Sequence, residues 1–342
     1  MMKNKLKVAA LAYICLLSSN LKVSAADINV DNFNTLQNEI QNVSSGSILN
    51  ITLTDNIQSV SEIITQSNSE VTVNGGGNYS ITSDGLEHRG FDVVSGSTLT
   101  VKNTSLSDFL VDQTAGKNGA IYNEGTLNIT ADNSVNIVFS GNTTDIHNEG
   151  GTLNLYADKT SSITFNDKIT GNNSVINITD ENSGNIVFNN TVADSFLTLN
   201  NGTLQIGKDT TQLAAGDKYF DNVAMTLNGG TLDMQNGQID TLDVTDMTVN
   251  NSSELLLDIN LSANQQADKI NANTVSGDGT IWVGPINITD KMTDGTTSIY
   301  ADFINQDVNT AIENVNKSIT VNGVVYSVDV EGNRITVVKE GE

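Results

Sequence analysis

Cysteine is all but missing from this 342-residue chain: the one residue, Cys15, lies in an N-terminal leader. The mature chain therefore has neither a disulfide framework nor a thiolate metal site available to it. Histidine occurs twice, as His88 and His147, which leaves little for zinc. A single proline fits a chain made of paired strands, because each proline would delete a ladder hydrogen bond. Basic residues number 16 against 40 acidic ones. Four of the basic residues and none of the acidic ones fall in the leader, so twelve face forty in the mature chain, a net charge of −28. Such a surface repels nucleic acid and anionic membranes and favours cations or basic partners, and it also keeps an exported rod soluble. After the leader no apolar run is long enough to cross a bilayer.

Residues 1–25 read as a signal peptide. Lys3, Lys5 and Lys7 supply a positive n-region, Val8 to Leu17 an apolar core, and Val23-Ser24-Ala25 a small-residue cleavage site. Tyr13 and Ile14 before Cys15 argue against a lipoprotein anchor, where small residues are expected. Export across the inner membrane is the expectation.

A repeated phrase dominates the rest. Gly125-Thr-Leu-Asn-Ile129 pairs a reversing glycine with the period-two alternation of a half-buried strand. Related strands are headed by Leu99, Leu127, Leu153, Val175, Leu204, Leu232, Leu255 and Ile281, spaced 28, 26, 22, 29, 28, 23 and 26 residues apart. A coil of that length suits about three short strands with turns between them. Val135–Phe139, Ser162–Phe165, Asn185–Phe188 and Phe196–Leu199 fit the remaining faces. One coil cannot bury its own apolar side, whereas stacked coils can, which is the logic of a solenoid. Helical patterns do not alternate with the strands as in a leucine-rich horseshoe, and a β-sandwich predicts no recurrent Gly-Thr-Leu. Asparagine crowds the corners, where left-handed backbone is needed, and aligned corners can stack amides into ladders.

The ends differ. Phe33, Leu36, Ile40 and Val43 recur at three-and-four spacing behind Asn32 or Asn34 as an N-cap, predicting a short capping helix. Near the other end, a short helix is expected on Val308, Ile312 and Val315. Three antiparallel strands follow at Ser318–Val321, Val324–Val330 and Arg334–Val338, joined at Asn322-Gly323 and Glu331-Gly332-Asn333. The expected organisation is a leader (1–25), an N-terminal cap with first strands (26–58), a parallel β-helix (59–290) and a C-terminal β-meander cap (291–342).

Gly119-Ala-Ile-Tyr-Asn-Glu-Gly-Thr-Leu-Asn-Ile129, followed by Val138-Phe-Ser-Gly-Asn142, resembles the repeat of bacterial autotransporter and polymorphic outer-membrane-protein passengers. Leu255–Asn260, Ala267–Ile270 and Gly277–Ile281 are similar to the last coils of such passengers. The resemblance spans roughly residues 30 to 340 and implies an all-β, right-handed parallel β-helix of the pectin-lyase-like class. It further implies a secreted or outer-membrane-associated protein of a Gram-negative bacterium, or a periplasmic one if it travels no further. An outer-membrane translocator would be a partner. The family continues into a membrane barrel with an aromatic last residue, whereas this sequence ends Lys339-Glu-Gly-Glu342. That departure implies a shortened product, or a passenger released or anchored by a partner.

Chemistry is hard to find. A polysaccharide lyase needs a basic residue to take a proton beside a uronate, and the mature chain has only two arginines for this, Arg89 and Arg334. Arg89 lies in Asp84-Gly-Leu-Glu-His-Arg-Gly90, read as a solvated loop between coils. A glycoside hydrolase wants converging carboxylates, and no paired-aspartate motif is evident. His147 reads as a corner residue beside Asn148. Neither an EF-hand nor a glycine-aspartate nonapeptide occurs for calcium. No catalytic, cofactor-binding or metal-ligating residue is assigned, and no cofactor is expected. The functional expectation is adhesin-like binding or scaffolding, toward glycans or host and matrix proteins, with a secreted polysaccharide lyase or hydrolase as the alternative.

Overall fold

A computed structural model describes residues 23–111, 119–179, 184–262, 267–292, 296–305, 311–314 and 317–341. It is a right-handed parallel β-helix. Residues 1–22, most of the expected leader, lie outside the described residues. The first strand, Val23–Val30, starts just before the expected cleavage point, and its pairs from Asp27↔Asn50 to Val30↔Leu53 lie beyond that point.

Two parallel sheets run the length of the rod. One has eleven strands, a single strand per coil from Ile57–Ser59 to Ala311–Asn314. The other has sixteen, because for its first half it folds around a corner and contributes two faces per coil. The third face consists of the short strands Ile63–Ile64, Phe91–Val93, Ile121–Asn123, Ile146–Glu149 and Ile169–Asn172. It ends where Ile169 pairs with Val192, the first residue of the long strand Val192–Leu199, whose remainder continues the neighbouring face. From there on Phe220–Leu227, Thr241–Val249 and Lys269–Ser276 each span both faces. The cross-section thus passes from three strands per coil to two.

The alternation read in the sequence holds inside the coils. Leu99, Leu127 and Leu153 stack inward at 0% exposure. On the eleven-stranded side Phe139, Phe165 and Phe188 stack likewise, with ring centroids 4.9 and 5.8 Å apart. The expected single column of leucines is in fact two. Gly-Thr-Leu at 125–127 and 151–153 lies in the sixteen-stranded sheet, while the same phrase at 202–204 and 230–232 lies in the eleven-stranded one. In the first column Ile176, not Val175, lies opposite Leu153, and Val175 is half-buried on the outer side. In the second, Leu255 pairs with Val283 rather than Ile281. The phrase encodes a turn followed by a strand, and any face can use one. Gly125 is required for close approach more than for a left-handed turn: a Cβ there would run into the carbonyl oxygens of Val94 and Ser97 in the preceding coil.

Both ends are covered. The helix Phe33–Gln41 is N-capped by Asn32, whose side chain accepts from Thr35 N–H, and it lays Phe33, Leu36 and Ile40 on the core. Gln37 Nε2 ties it to Ser61 Oγ and to the Glu62 carbonyl, at 3.0 and 2.8 Å. The other end closes with the antiparallel order Ser298–Asp302, Arg334–Lys339, Val324–Glu331, Ser318–Val321, one strand more than expected. Asn322 and Gly323, both with positive φ (50° and 80°), make its tight turn. The helix expected around Ile312 is corrected to a strand: Ala311–Asn314 pairs with Thr280–Val283, and Ile312 lies opposite Ile281. Val308 and Val315 lie outside the described residues. Three-residue spacing lost to the apolar demand of an eleventh parallel strand. Parallel pairing therefore runs from Val23 to Asn314, into both regions expected as caps.

Corners are stapled by amides. Asn123 and Asn148 are buried at 0% exposure, and Asn123 Nδ2 donates to Asn148 Oδ1 at 2.7 Å and to the Thr152 carbonyl at 3.1 Å. Gly125 N–H donates in turn to Asn123 Oδ1. Asn123→Ala leaves that N–H and one oxygen of Asn148 short of a partner in a dry site, an expected loss of about 1–3 kcal/mol. A urea midpoint equal to that of the parent chain would refute it.

Candidate functional site

Two of the polar residues singled out in the sequence, Arg89 and His147, converge on the third face around Tyr122. Outward from Ile121–Asn123 and Ile146–Glu149, Tyr122 and His147 lie opposite each other and stack with ring centroids 5.4 Å apart at 7°. Arg89 reaches over from the turn before Phe91, its guanidinium carbon 5.3 Å from the Tyr122 ring centroid. Arg89 Nε pairs with Glu62 at 3.1 Å and Nη1 with Asp92 at 3.5 Å. His147 is bonded to Thr170 Oγ1 through Nδ1 (2.8 Å) and to Glu149 through Nε2 (3.0 Å). His147 is therefore a mid-strand residue and not a corner one, and Arg89, its side chain 15% exposed, is braced against the rod instead of solvated.

Charge balance explains the electrostatics here. Burial, with the charges of Glu124, Glu149 and Asp92, pushes the Tyr122 hydroxyl up to about 12. The Asn172 amide, then His147, holds Glu149 below the usual carboxylate range. His88 is spent elsewhere: Nδ1 faces the Arg89 carbonyl at 2.9 Å and Nε2 faces Asp84 at 3.1 Å. Arg334 stays apart in the end meander, pairing with Asp302 at 2.7 and 3.4 Å. Each arginine and histidine is thus engaged by a carboxylate or a neighbouring side chain, so the cluster braces successive coils.

Two buried acidic sites carry no signal in the sequence. Asp145 is fully buried, with Asn142 Nδ2 on one oxygen (2.7 Å) and Asp167 N–H on the other (3.0 Å); burial and the charge of Asp167 raise its carboxyl well above the usual value. Asp268 repeats the device, accepting from Asp240 N–H (2.8 Å) and Asp258 N–H (2.7 Å). Burial pushes it up to about 8, with Asp258 and Asp240 adding to the effect. Among the described residues no group of three His, Cys, Asp or Glu stands together as a metal-binding set.

A cleft of about 270 Å³ opens where the third face ends. It is lined by Asn172, Asn173, Asp194, Phe196, Asn222, Ala224, Thr245 and Asp246, with Ser195 behind. Three successive corners there use left-handed non-glycine backbone, Asn173, Asp194 and Asn222 at φ 51°, 51° and 55°. Asparagine and aspartate tolerate that region best. Phe196 lies opposite Ala224 and is 54% exposed, and beyond Ala224 the register shifts between Val223 and Met225, with Thr245 and Asp246 at the far side. The sequence carried one sign of this site: in Val192-Ala-Asp-Ser-Phe-Leu-Thr-Leu199 the inward positions are Leu197 and Leu199, so Phe196 is an aromatic on the outward phase.

The fold places the chain among right-handed parallel β-helix proteins. No protein-family model matches the chain, and no curated protein sequence matches it. Among the described residues no helix is long and apolar enough to cross a membrane.

Proposed function

We propose that the chain is an exported, surface-displayed β-helical protein of a Gram-negative bacterium, passenger-like in the sense of the autotransporters it resembles, that binds or scaffolds without catalysis. The observation that carries this reading is the regular outer surface. Asn128 donates to Thr100, Asn154 to Asn128 and Asn177 to Asn154, at 3.1, 2.9 and 2.9 Å. A second column runs from Asn250 to Asn228 to Asn200 to Thr179. Equivalent groups recur at about 4.8 Å, the spacing of adjacent strands. Ladders of this kind suit many weak contacts whose strength comes from multiplicity, to glycans or to host and matrix proteins. An outer-membrane translocator is the partner that such display requires.

The test uses the mature chain from Ala26 onward. It is incubated with pectic and neutral polysaccharides and, separately, with cells and extracellular matrix. Adhesion without new reducing ends or unsaturated uronates is expected. Release of either product would replace this reading with a polysaccharide lyase or hydrolase.

A further inference from the structure

We propose that the cleft beside Phe196 is a binding subsite for one or two residues of a neutral oligosaccharide, an inference that rests on the binding function above and gives it a place and a ligand class. The cleft joins three things a sugar needs. First, the ring of Phe196 is a flat apolar plate, exposed on an otherwise polar face and set beside the small side chain of Ala224. The C–H face of a pyranose is the polar molecule's apolar side, and it packs on such a ring. Second, the rim carries acceptors and donors in alternation. Asn222 Nδ2 holds Asp194 Oδ1 at 2.6 Å, and Thr274 Oγ1 holds Asp246 Oδ1 at 2.5 Å. One oxygen of each carboxylate is thereby fixed in orientation, and the other serves as acceptor. Asn173 donates to Asn172, and Asn172 to Glu149, through one N–H each, leaving the second N–H of each amide as a donor. Third, the volume of about 270 Å³ sits just below the range of pockets for drug-sized ligands, which is room for a mono- or disaccharide unit.

Charge narrows the ligand. Asp194 and Asp246 line the cleft of a chain already at −28, so uronates and sialylated sugars are repelled. A basic peptide is the competing occupant. The site favours sugar over it because the two carboxylates are already turned toward neutral donors and the remaining rim is amide and hydroxyl, the complement of a hydroxyl-rich ligand. The corners that carry Asn173, Asp194 and Asn222 belong to successive stacked coils, so the donors sit on rigid elements.

The experiment is calorimetric titration of the mature chain with neutral tetrasaccharides of glucose, galactose and N-acetylglucosamine. A uronate tetramer and an arginine-rich peptide serve as comparisons. At least one neutral tetrasaccharide is expected to bind. Phe196→Ala is expected to weaken it by about tenfold, the scale of one aromatic stacking contact, and Phe196→Trp to retain it. Ala224→Leu, which fills the cleft from below, is expected to reduce it similarly. Exposed Phe196 contributes little to the core, so an unchanged melting curve accompanies the loss. The inference is overturned if no neutral sugar binds, if binding is the same in Phe196→Ala, or if the peptide is the ligand lost in that variant. Should the sugars fail while the chain still adheres to cells or matrix, only the cleft assignment falls; if adhesion is absent too, the proposed function falls with it.

Discussion

Leu127→Asp is expected to destabilise the rod by on the order of 5 kcal/mol and to split its melting into two transitions. Leu127 is fully buried between Leu99 of the preceding coil and Leu153 of the next. Truncating a leucine in such a place costs about 2–5 kcal/mol for the lost transfer energy and the cavity. The new carboxylate adds several more, because neither Leu99 nor Leu153 can offer it a partner. In a solenoid each coil leans only on its neighbours, so one bad coil interrupts the stack without directly touching its ends. The segment held by the helix Phe33–Gln41 and the segment held by the terminal meander should therefore melt apart. Thr126→Asp is the control, since Thr126 points outward one residue away and should move the thermal midpoint little. Calorimetry of the three chains decides it: a single unchanged transition for Leu127→Asp would mean that the inward phase of this strand is misassigned.

Stability is expected to fall as pH rises from about 5 to about 9, the reverse of ordinary acid denaturation. Asp268 sits near 8 in the folded chain because burial penalises its charge, whereas its unfolded value is that of an ordinary aspartate. Between those values the folded state keeps a proton that the unfolded state has lost, so unfolding releases a proton and is favoured by rising pH. The contribution is whole below the unfolded value, declines through the interval and is gone above about 8. A shift of this size corresponds to at most about 6 kcal/mol. Asp145, Asp167 and Asp240, also raised by burial, act in the same direction. Outer carboxylates held low, such as Glu149 by Asn172 and His147, work the other way and lose their stabilisation as pH falls through their folded values. A maximum near the ordinary carboxylate range, about pH 4, follows. Asp268→Asn should flatten the slope on the alkaline side whatever its effect at the optimum, since an amide does not titrate. Thermal midpoints that do not change from pH 5 to 9, or a variant with the parent slope, would remove Asp268 from this role.

What was legible in the sequence is what a single coil encodes. Leu127-Asn-Ile129 announces its inward and outward sides by alternation alone, and Asn32 with Phe33, Leu36 and Ile40 announces a capped helix. Which sheet a coil's phrase joins was not legible, because Gly-Thr-Leu describes a turn and a strand without naming a face. Val175 and Ile176 are adjacent and both apolar, so period-two reading could not choose between them; stacking under Leu153 does. Arg89 reads as solvated in the sequence because two of its partners, Glu62 and Tyr122, come from the neighbouring coils and only Asp92 from its own. The cleft was hidden for the same reason: Asn172, Phe196, Asn222 and Thr245 meet only once four coils are stacked at the change of cross-section.

The outer amide columns also have a direction. In both of them each Nδ2 points toward the preceding coil and each Oδ1 toward the following one. The side-chain dipoles therefore add head to tail, positive toward the N-terminal helix, as peptide dipoles add along an α-helix. The buried Asn123–Asn148 pair runs the other way and subtracts from this sum. Polarised chains of hydrogen bonds strengthen their members, so Asn154, with an amide on either side, holds its neighbours more firmly than Asn177 does at the column's end. The rod is thus electrically polar along its axis even where its outer surface is built of uncharged groups.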